Sequence, residues 1–134
     1  MLKIPKQIYD QMLVHAEAEA PNECCGLLAG KNGTAEAIHP MTNIHQSPVS
    51  YMIDPKEQFA VFKEMRAKEN ELIAIYHSHP HTEAYPSATD VRLAYYPEAV
   101  YIIVSLENPE RPVLKAYRII HNKISPEEFE VLAS

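Results

Sequence analysis

The chain has 134 residues, of which 46% are hydrophobic and 22% are charged, and its formal net charge at pH 7 is −6. This length and composition indicate one globular domain, spanning residues 1–134, with a single core. The acidic balance argues against binding to nucleic acid or to an anionic membrane surface, and the longest apolar stretch, residues 99–106, is too short to cross a bilayer. The first residues lack the apolar segment of a secretory signal, so we expect a cytoplasmic protein.

Hydrophobic spacing and turn residues predict alternating helices and strands. In chain order, these are a helix at 5–20, strands at 24–29, 34–38 and 51–53, a helix at 55–70, a strand at 71–76, a helix at 87–96, strands at 99–106 and 113–120, and a short helix from residue 125. Asn32-Gly33 is a typical hairpin turn, and Asp54 is placed to cap a helix that has Pro55 at its first position. This order predicts an α/β fold in which a mixed β-sheet packs against helices.

The only two cysteines, Cys24 and Cys25, are adjacent. Neighbours on a strand point to opposite faces, so a disulfide between them would be strained. Two interpretations remain open: small strand residues that pack on both faces of a buried sheet, or a contribution to a zinc site. The absence of a second cysteine pair favours packing.

Two histidines follow the apolar run at residues 72–76. His77 and His79 are two positions apart, so on an extended strand both side chains point to the same side, with Ser78 facing away. Asp90 follows eleven residues after His79. Two imidazole nitrogens and one carboxylate oxygen are the ligand set of a catalytic zinc site, which keeps a fourth position open for water. The pattern predicts one zinc ion bound by His77, His79 and Asp90.

The residues between the histidines and Asp90 support this interpretation. Pro80 has no N–H to donate and ends the strand, and Ser87 is well placed as an N-cap, which puts Asp90 in the first turn of a helix. The alternative is a solvated histidine-rich loop followed by an ordinary first-turn aspartate. The strand, the proline and the capped aspartate together favour the metal site. His81 lies beyond Pro80, where its direction is not predictable, and we take it as a loop residue with possible substrate contact.

These residues resemble a known motif. His77-Ser78-His79-Pro80, with Ser87 and Asp90, is similar to the motif of the JAMM (MPN+) zinc metalloproteases, and Glu23 fits the position of the glutamate that the family carries on an early strand. The resemblance covers nearly the whole chain. It implies a cytidine-deaminase-like α/β fold and zinc-dependent cleavage of amide or isopeptide bonds at the C-terminus of ubiquitin or ubiquitin-like proteins.

The resemblance also implies roles for two catalytic residues. Glu23 would accept a proton from water and later give it to the leaving amine. By its position alone Glu23 would be a surface carboxylate, so only the resemblance identifies it. The Ser87 hydroxyl is a candidate donor to the tetrahedral oxyanion, but an N-cap role competes for the same hydroxyl, and both interpretations stay open.

The substrate is predicted from the small size of the chain. It resembles the stand-alone members of the family, which process ubiquitin-like sulfur-carrier proteins and release a residue or peptide attached beyond a Gly-Gly terminus. Three alternatives are isopeptidase removal of ubiquitin-like modifiers from proteins, a non-catalytic zinc-stabilised binding module, and a zinc hydrolase or deaminase of small molecules. Three ligands rather than four argue against the module, and the chain lacks the His-x-Glu and Cys-x-x-Cys signature of the zinc deaminases. The polar loop at residues 43–50 could line a substrate groove or be a plain connection.

Overall fold

The computed structural model describes residues 1–133, which form three helices and one eight-stranded sheet. The helices are α1 (Lys6–Glu19), α2 (Pro55–Ala67) and α3 (Ala88–Arg92). The strands are β1 (Leu2–Pro5), β2 (Cys25–Lys31), β3 (Thr34–Met41), β4 (Glu71–His79), β5 (Val100–Ser105), β6 (Val113–Ile120), β7 (Lys123–Pro126) and β8 (Phe129–Leu132). The predicted class, an α/β fold with a mixed sheet against helices, is confirmed.

Strand β4 lies in the middle of the sheet. The strand order is β7-β6-β5-β4-β2-β3-β1-β8, with β4 antiparallel to β2 and parallel to β5. Every residue of β4 from Ile73 to His79 is buried. A strand that is hydrogen-bonded on both edges and covered on both faces is a rigid support, so the residues at its end are held in fixed positions.

The predicted hairpin between β2 and β3 is confirmed. Asn32 and Gly33, at the turn, both have positive φ angles, 54° and 78°. A two-residue hairpin turn of the type that matches the strand twist needs positive φ at both positions, and asparagine and glycine adopt it at low cost. The turn sets the pairing of β2 with β3, in which Leu28 lies opposite Ile38.

Each face of the sheet has its own apolar cluster. On the face covered by α1, which we call the core face, Met12 and Ala16 pack with Cys24 and Tyr76. On the opposite face, which we call the site face, side chains of α2 and α3 pack on the sheet. The site-face cluster includes Cys25, Leu27, Ile75, Tyr101, Val61, Phe62 and Val91. Cys24 and Cys25 therefore lie on opposite faces as buried free thiols, which confirms that they pack on both sides of the sheet.

Both ends of the chain differ from the prediction. Residues 2–5 form β1, with Leu2 and Ile4 buried, where the sequence predicted no strand. The tail from residue 125 contributes to β7 and β8, so the predicted final helix is wrong. Strand β8 runs parallel to β1, with Leu2 opposite Phe129. These short strands are stabilised by pairing between distant parts of the chain, which local hydrophobic spacing does not report.

Three further predictions in the middle of the chain are corrected. Helix α3 ends at Arg92 rather than residue 96: the N–H groups of Ala94 and Tyr95 donate to the Val91 and Leu93 carbonyls, three and two residues earlier, and do not continue the helical pattern. The predicted strand at 51–53 is reduced to one bridge between residues 43 and 53. The apolar residues of the predicted helix at 55–70 place Phe59 on its buried side with Val61, Phe62 and Met65, but Phe59 is 69% exposed. None of the helices in residues 1–133 has the length and apolar character needed to cross a membrane.

Candidate metal centre

Two histidine side chains lie together at the end of β4. His77 and His79 are 1% and 4% exposed, and their Nε2 atoms are 3.2 Å apart. Ser78, between them, points away, and its hydroxyl accepts a hydrogen bond from the backbone N–H of Cys24 (2.8 Å). The alternation of side chains along the strand thus places both imidazoles on one side, as the spacing predicted. Strand β4 includes both histidines, so it extends three residues beyond the predicted end.

Asp90 reaches the histidines from the first turn of α3. Its Oδ2 atom is 3.1 Å from His77 Nε2 and 3.0 Å from His79 Nε2. Ser87 is the N-cap of this helix: its hydroxyl accepts from the Asp90 N–H (3.0 Å), and its own N–H donates to Asp90 Oδ2 (2.9 Å). This reciprocal pair is a capping box, and it fixes the orientation of the carboxylate. The predicted cap is confirmed.

The three side chains fit a metal ion. One ligand atom each from His77, His79 and Asp90 lies within 4.8 Å of the other two. The Nδ1 atom of His79 lies 2.8 Å from the backbone carbonyl of Glu83. A carbonyl only accepts, so Nδ1 carries a hydrogen and makes the orienting bond typical of metal-binding histidines. In the neutral ring, Nε2 then has the lone pair that a metal requires. Two nitrogens and one oxygen are the donor set of metal sites with an open position.

The directions in which the pKa values of Asp90 and His77 are shifted also suit a metal site. Burial alone would raise the pKa of Asp90, but hydrogen bonds from His77 and His79 outweigh it and hold the pKa well below its ordinary value. Burial lowers the pKa of His77. Burial acts in the same direction on His79, but its hydrogen bonds to Asp90 and to the Glu83 carbonyl leave its pKa raised. An ionised Asp90 and a His77 that favours its neutral form are the states that metal ligands require, whereas a metal would have to displace the proton that His79 favours.

Glu23 lies two residues before β2, close enough to His79 and Asp90 for their charges to affect its pKa. Its side chain is buried, and within residues 1–133 its Oε1 atom has no hydrogen-bond partner. Burial raises the pKa of Glu23 to about 8, against the opposing effect of His79. The sequence position alone indicated a surface carboxylate, which is wrong. A buried carboxyl with a free oxygen and a pKa near neutrality is suited to exchange protons at neutral pH.

The segment at residues 43–53 is hydrogen-bonded to the backbone of Glu23, and Asn43 organises this segment. Asn43 is 6% exposed, and its side-chain amide donates to the carbonyls of Glu23 (3.0 Å) and Ser50 (3.1 Å). Its side-chain oxygen accepts from the N–H groups of His45 and Met52, both at 3.0 Å. The side chain thus makes four hydrogen bonds, which satisfies both of its donors and its acceptor. The loop that the sequence left as a groove wall or a plain connection holds the backbone of the buried glutamate.

A cavity of about 460 Å³ opens beside Asp90. Its lining is mostly aromatic and apolar and includes His45, Tyr51, Met52, Leu93, Tyr95 and Tyr96. His45 belongs to the 43–50 loop, so this loop lines a cavity next to the candidate metal ligands; contact with substrate stays a prediction. His81 is exposed and does not line the cavity. Tyr95, which also lines the cavity, is 70% exposed.

Sequence reasoning missed two residues of the site. Asn43 is one, and the other is Tyr51, whose ring is stacked on His77 with centroids 4.5 Å apart and planes 24° apart. Neither residue belongs to a periodic pattern or a motif. The available signal was weak: Asn43 belongs to the long polar loop at residues 43–50 and Tyr51 directly follows it, and loops of this kind often carry function.

The sequence matches known proteins over most of its length. Residues 5–120 match the family described as prokaryotic homologs of the JAB domain. A CysO-cysteine peptidase from Mycobacterium tuberculosis is 41% identical over 134 residues, which cover 98% of this chain and 92% of that protein. A probable TtuB-protein conjugate cleaving protease from Thermus thermophilus is 39% identical over 98 residues, covering 70% of this chain and 64% of that one.

Solved structures have the same fold. The solution structure of a protein from Desulfitobacterium hafniense is 38% identical, with a TM-score of 0.90 and coverage of 100% of this chain and 94% of that chain. The crystal structure of a JAB1/MPN domain protein from Archaeoglobus fulgidus is 21% identical, with a TM-score of 0.65 and coverage of 98% and 97%. The second likeness shows that the eight-stranded sheet and its helices form a JAB1/MPN fold, as the motif implied.

Proposed function

The chain belongs to the prokaryotic homologs of the JAB domain and is a JAMM-type peptidase, and from this premise we propose that it cleaves ubiquitin-like sulfur-carrier proteins at their C-terminus. The bond cleaved is the one that follows a Gly-Gly terminus, and the product released is the attached residue or peptide. One observation carries the proposal: His77, His79 and Asp90 converge beside the buried carboxyl of Glu23.

In this proposal His77, His79 and Asp90 hold one zinc ion per chain. Imidazole nitrogens suit zinc, whereas magnesium and calcium prefer oxygen ligands throughout. When bound, zinc supplies a Lewis acid that makes water nucleophilic near neutral pH and polarises a carbonyl group. The capping box at the start of α3 keeps the Asp90 carboxylate directed at the histidines, so the ligands are arranged before any ion arrives.

Glu23 is the proposed general base and then general acid. It accepts the proton of the attacking water at its free oxygen and returns it to the leaving amine. Its buried position supports this role, because its pKa is raised into the range in which a carboxyl both takes and gives protons near neutral pH. A non-catalytic zinc-stabilised module would have no need of a buried carboxyl with an unpartnered oxygen at this place.

Ser87 has two compatible roles. Its hydroxyl oxygen accepts the Asp90 N–H as a helix cap. A hydroxyl has one hydrogen to donate in addition to its acceptor lone pairs, so the cap leaves that hydrogen available. We therefore keep Ser87 as the proposed donor to the oxyanion of the tetrahedral intermediate, alongside its role as the cap.

The names of two relatives support the substrate class. The relative named CysO-cysteine peptidase covers nearly the whole chain, and its name fits release of a residue from a small carrier protein. The relative named as a probable TtuB-protein conjugate cleaving protease favours a second candidate, isopeptidase removal of a ubiquitin-like modifier from proteins. Both reactions require the same site, and they differ in the group that is attached to the C-terminus of the ubiquitin-like protein.

The test is a comparison of substrates. The zinc-loaded protein is incubated with sulfur carriers extended beyond Gly-Gly by cysteine or a short peptide, and with a carrier joined to a lysine side chain, and the products are read by mass spectrometry. The proposal expects cleavage after Gly-Gly in the extended carriers, and no cleavage by a Glu23→Gln control. Cleavage confined to the lysine-linked carrier would favour the second candidate. Efficient hydrolysis of unrelated unfolded peptides would contradict both.

Several properties stay predictions from the sequence. These are the single-domain organisation of residues 1–134, the cytoplasmic setting, and the lack of nucleic-acid and membrane partners.

A further inference from the structure

The two histidines of the site are oriented by different means. The Nδ1–H of His79 donates to the Glu83 carbonyl (2.8 Å), which fixes both the tautomer and the plane of its ring. The Nδ1 atom of His77 is fully buried and has no hydrogen-bond partner within residues 1–133. Metal-binding histidines ordinarily use this second nitrogen to hold the ring in place, so His77 lacks the usual constraint.

Tyr51 supplies a different constraint on His77. The two rings are stacked, with centroids 4.5 Å apart and an angle of 24° between their planes. Aromatic rings at this separation attract each other in an offset-stacked arrangement, and a stacked neighbour resists rotation of the ring it covers. His77 is only 1% exposed, so its orientation depends on such packing contacts and not on solvent.

The backbone on both sides of Tyr51 is itself fixed. The carbonyl of Ser50 accepts from the Asn43 side chain (3.1 Å), and the N–H of Met52 donates to it (3.0 Å). The same asparagine donates to the Glu23 carbonyl (3.0 Å). Tyr51 is therefore held against His77 by a buried residue that also anchors the glutamate, although it lies in a segment outside the regular helices and strands.

We propose that Tyr51 is a positioning residue for His77: its stacked ring sets the imidazole orientation in which Nε2 meets the metal, in place of the missing hydrogen bond at Nδ1. This inference rests on the proposed function, because it requires a metal at His77, His79 and Asp90. The proposal assigns the orientation of His77 to the stacked face of the Tyr51 ring. The other aromatic residues that line the cavity are not assigned this role. Tyr95 lines the same cavity and is its matched control.

The test measures metal binding in four proteins: the parent, Tyr51→Leu, Tyr51→Phe and Tyr95→Leu. Zinc affinity is obtained by competition with a chromophoric chelator, and the visible absorption spectrum of each Co²⁺-loaded protein reports the ligand geometry. Tyr51→Leu is expected to bind zinc roughly 10–100-fold more weakly, the range for loss of an orienting partner, and to change the Co²⁺ spectrum. Tyr51→Phe keeps the stacked ring and is expected to match the parent in both measurements, as is Tyr95→Leu.

Circular dichroism of the metal-free proteins checks the fold, and Tyr51→Met replaces Tyr51→Leu if the latter does not fold. Parent-like affinity and an unchanged Co²⁺ spectrum in the folded Tyr51→Leu or Tyr51→Met protein would overturn the proposal while leaving the metal site intact. A Tyr51→Phe protein as weak as Tyr51→Leu would overturn the stacking role, and so would an equally weak Tyr95→Leu protein. A parent that binds no zinc would overturn both this inference and the proposed function.

Discussion

The core face and the site face of the sheet differ in how they treat buried polar groups. On the core face, the Tyr76 hydroxyl lies 2.7 Å from His15 Nδ1, and the Ser78 hydroxyl accepts the Cys24 N–H. Around the metal centre, His77 Nδ1 and Glu23 Oε1 are the two buried side-chain atoms of residues 1–133 that have no partner. Tyr76 and His77 are neighbours in the sequence, but Tyr76 lies on the core face of the sheet and His77 lies on the site face.

This difference between the faces shows that the destabilising buried polar groups lie around the metal centre. A buried polar group without a hydrogen bond costs about 1–3 kcal/mol, so a face with two such atoms is less stable than one in which every group is paired. On the core face the polar groups join strand to strand and helix to sheet. At the metal centre, Glu23 Oε1 and His77 Nδ1 are left without a partner among the described residues. Because side chains alternate along a strand, consecutive residues of β4 lie on different faces. Tyr76 is paired with His15 on the core face, and His77 has an unpartnered nitrogen on the site face.

The largest expected effect comes from neutralising the glutamate of the metal centre. Glu23→Gln keeps the size of the side chain but removes the proposed base, so the rate of carrier cleavage should fall by about 10²–10⁴-fold. Zinc content should stay that of the parent, because Glu23 is not proposed as a ligand. Rates from mass spectrometry and metal from elemental analysis check both statements. Glu36→Gln, an exposed change on β3, is the control. Parent-like cleavage by Glu23→Gln would remove Glu23 from the chemistry, and loss of zinc would make it a ligand.

A second expectation concerns the pH dependence of stability in the metal-free protein. Burial raises the pKa of Glu23 from 4.5 to about 8, so between these values the folded protein binds a proton that the unfolded chain has released. The stability of the parent should therefore fall as the pH rises through this window and level off above it. The Glu23→Gln protein should not show this loss of stability. In the parent, the free energy of unfolding should fall by roughly 1.4 kcal/mol for each pH unit between the two pKa values.

Urea unfolding of both proteins in the presence of a chelator, at several pH values between about 5 and 9, gives the difference in their free energies of unfolding. That difference should grow in favour of Glu23→Gln with rising pH. A difference that does not change with pH would show that the glutamate is not buried as the structure places it.

The smallest expected effect belongs to the core face. Tyr76→Phe removes the hydroxyl that meets His15 and should lower the free energy of unfolding by about 1 kcal/mol, with zinc binding and cleavage unchanged. Tyr85→Phe, at a half-exposed tyrosine, is the matched control and should change neither property. A large loss of activity in Tyr76→Phe would mean that the two faces are coupled and that the division is wrong.

Local signals in the sequence were enough to predict the arrangement of the candidate ligands. The spacing of His77 and His79, the stop at Pro80 and the cap at Ser87 act within a few residues, and the structure has the same geometry. The hairpin turn at Asn32-Gly33 was predicted for the same reason. The pairing of β8 with β1 was missed because each strand has only four residues and its partner is at the other end of the chain.

The surroundings of the ligands could not be predicted in this way. The backbone of Glu23 is held by the side chain of Asn43, which lies twenty residues later in the chain. Stacking of Tyr51 on His77 joins residues twenty-six positions apart, and no periodicity or motif indicates it. Only the family resemblance identified Glu23, and nothing identified Tyr51. The ligands follow from local sequence, whereas the residues that orient and tune them follow from tertiary packing.

The most direct test of the central claim is a zinc titration of the metal-free protein, with bound zinc and carrier cleavage measured on the same samples. The account predicts that cleavage is absent without metal, rises with bound zinc and saturates at one zinc per chain. The His77→Ala, His79→Ala double variant should bind no zinc in this range and should stay inactive. Full cleavage by the metal-free protein, or an unchanged zinc content in the double variant, would contradict the claim that these residues form the catalytic metal centre.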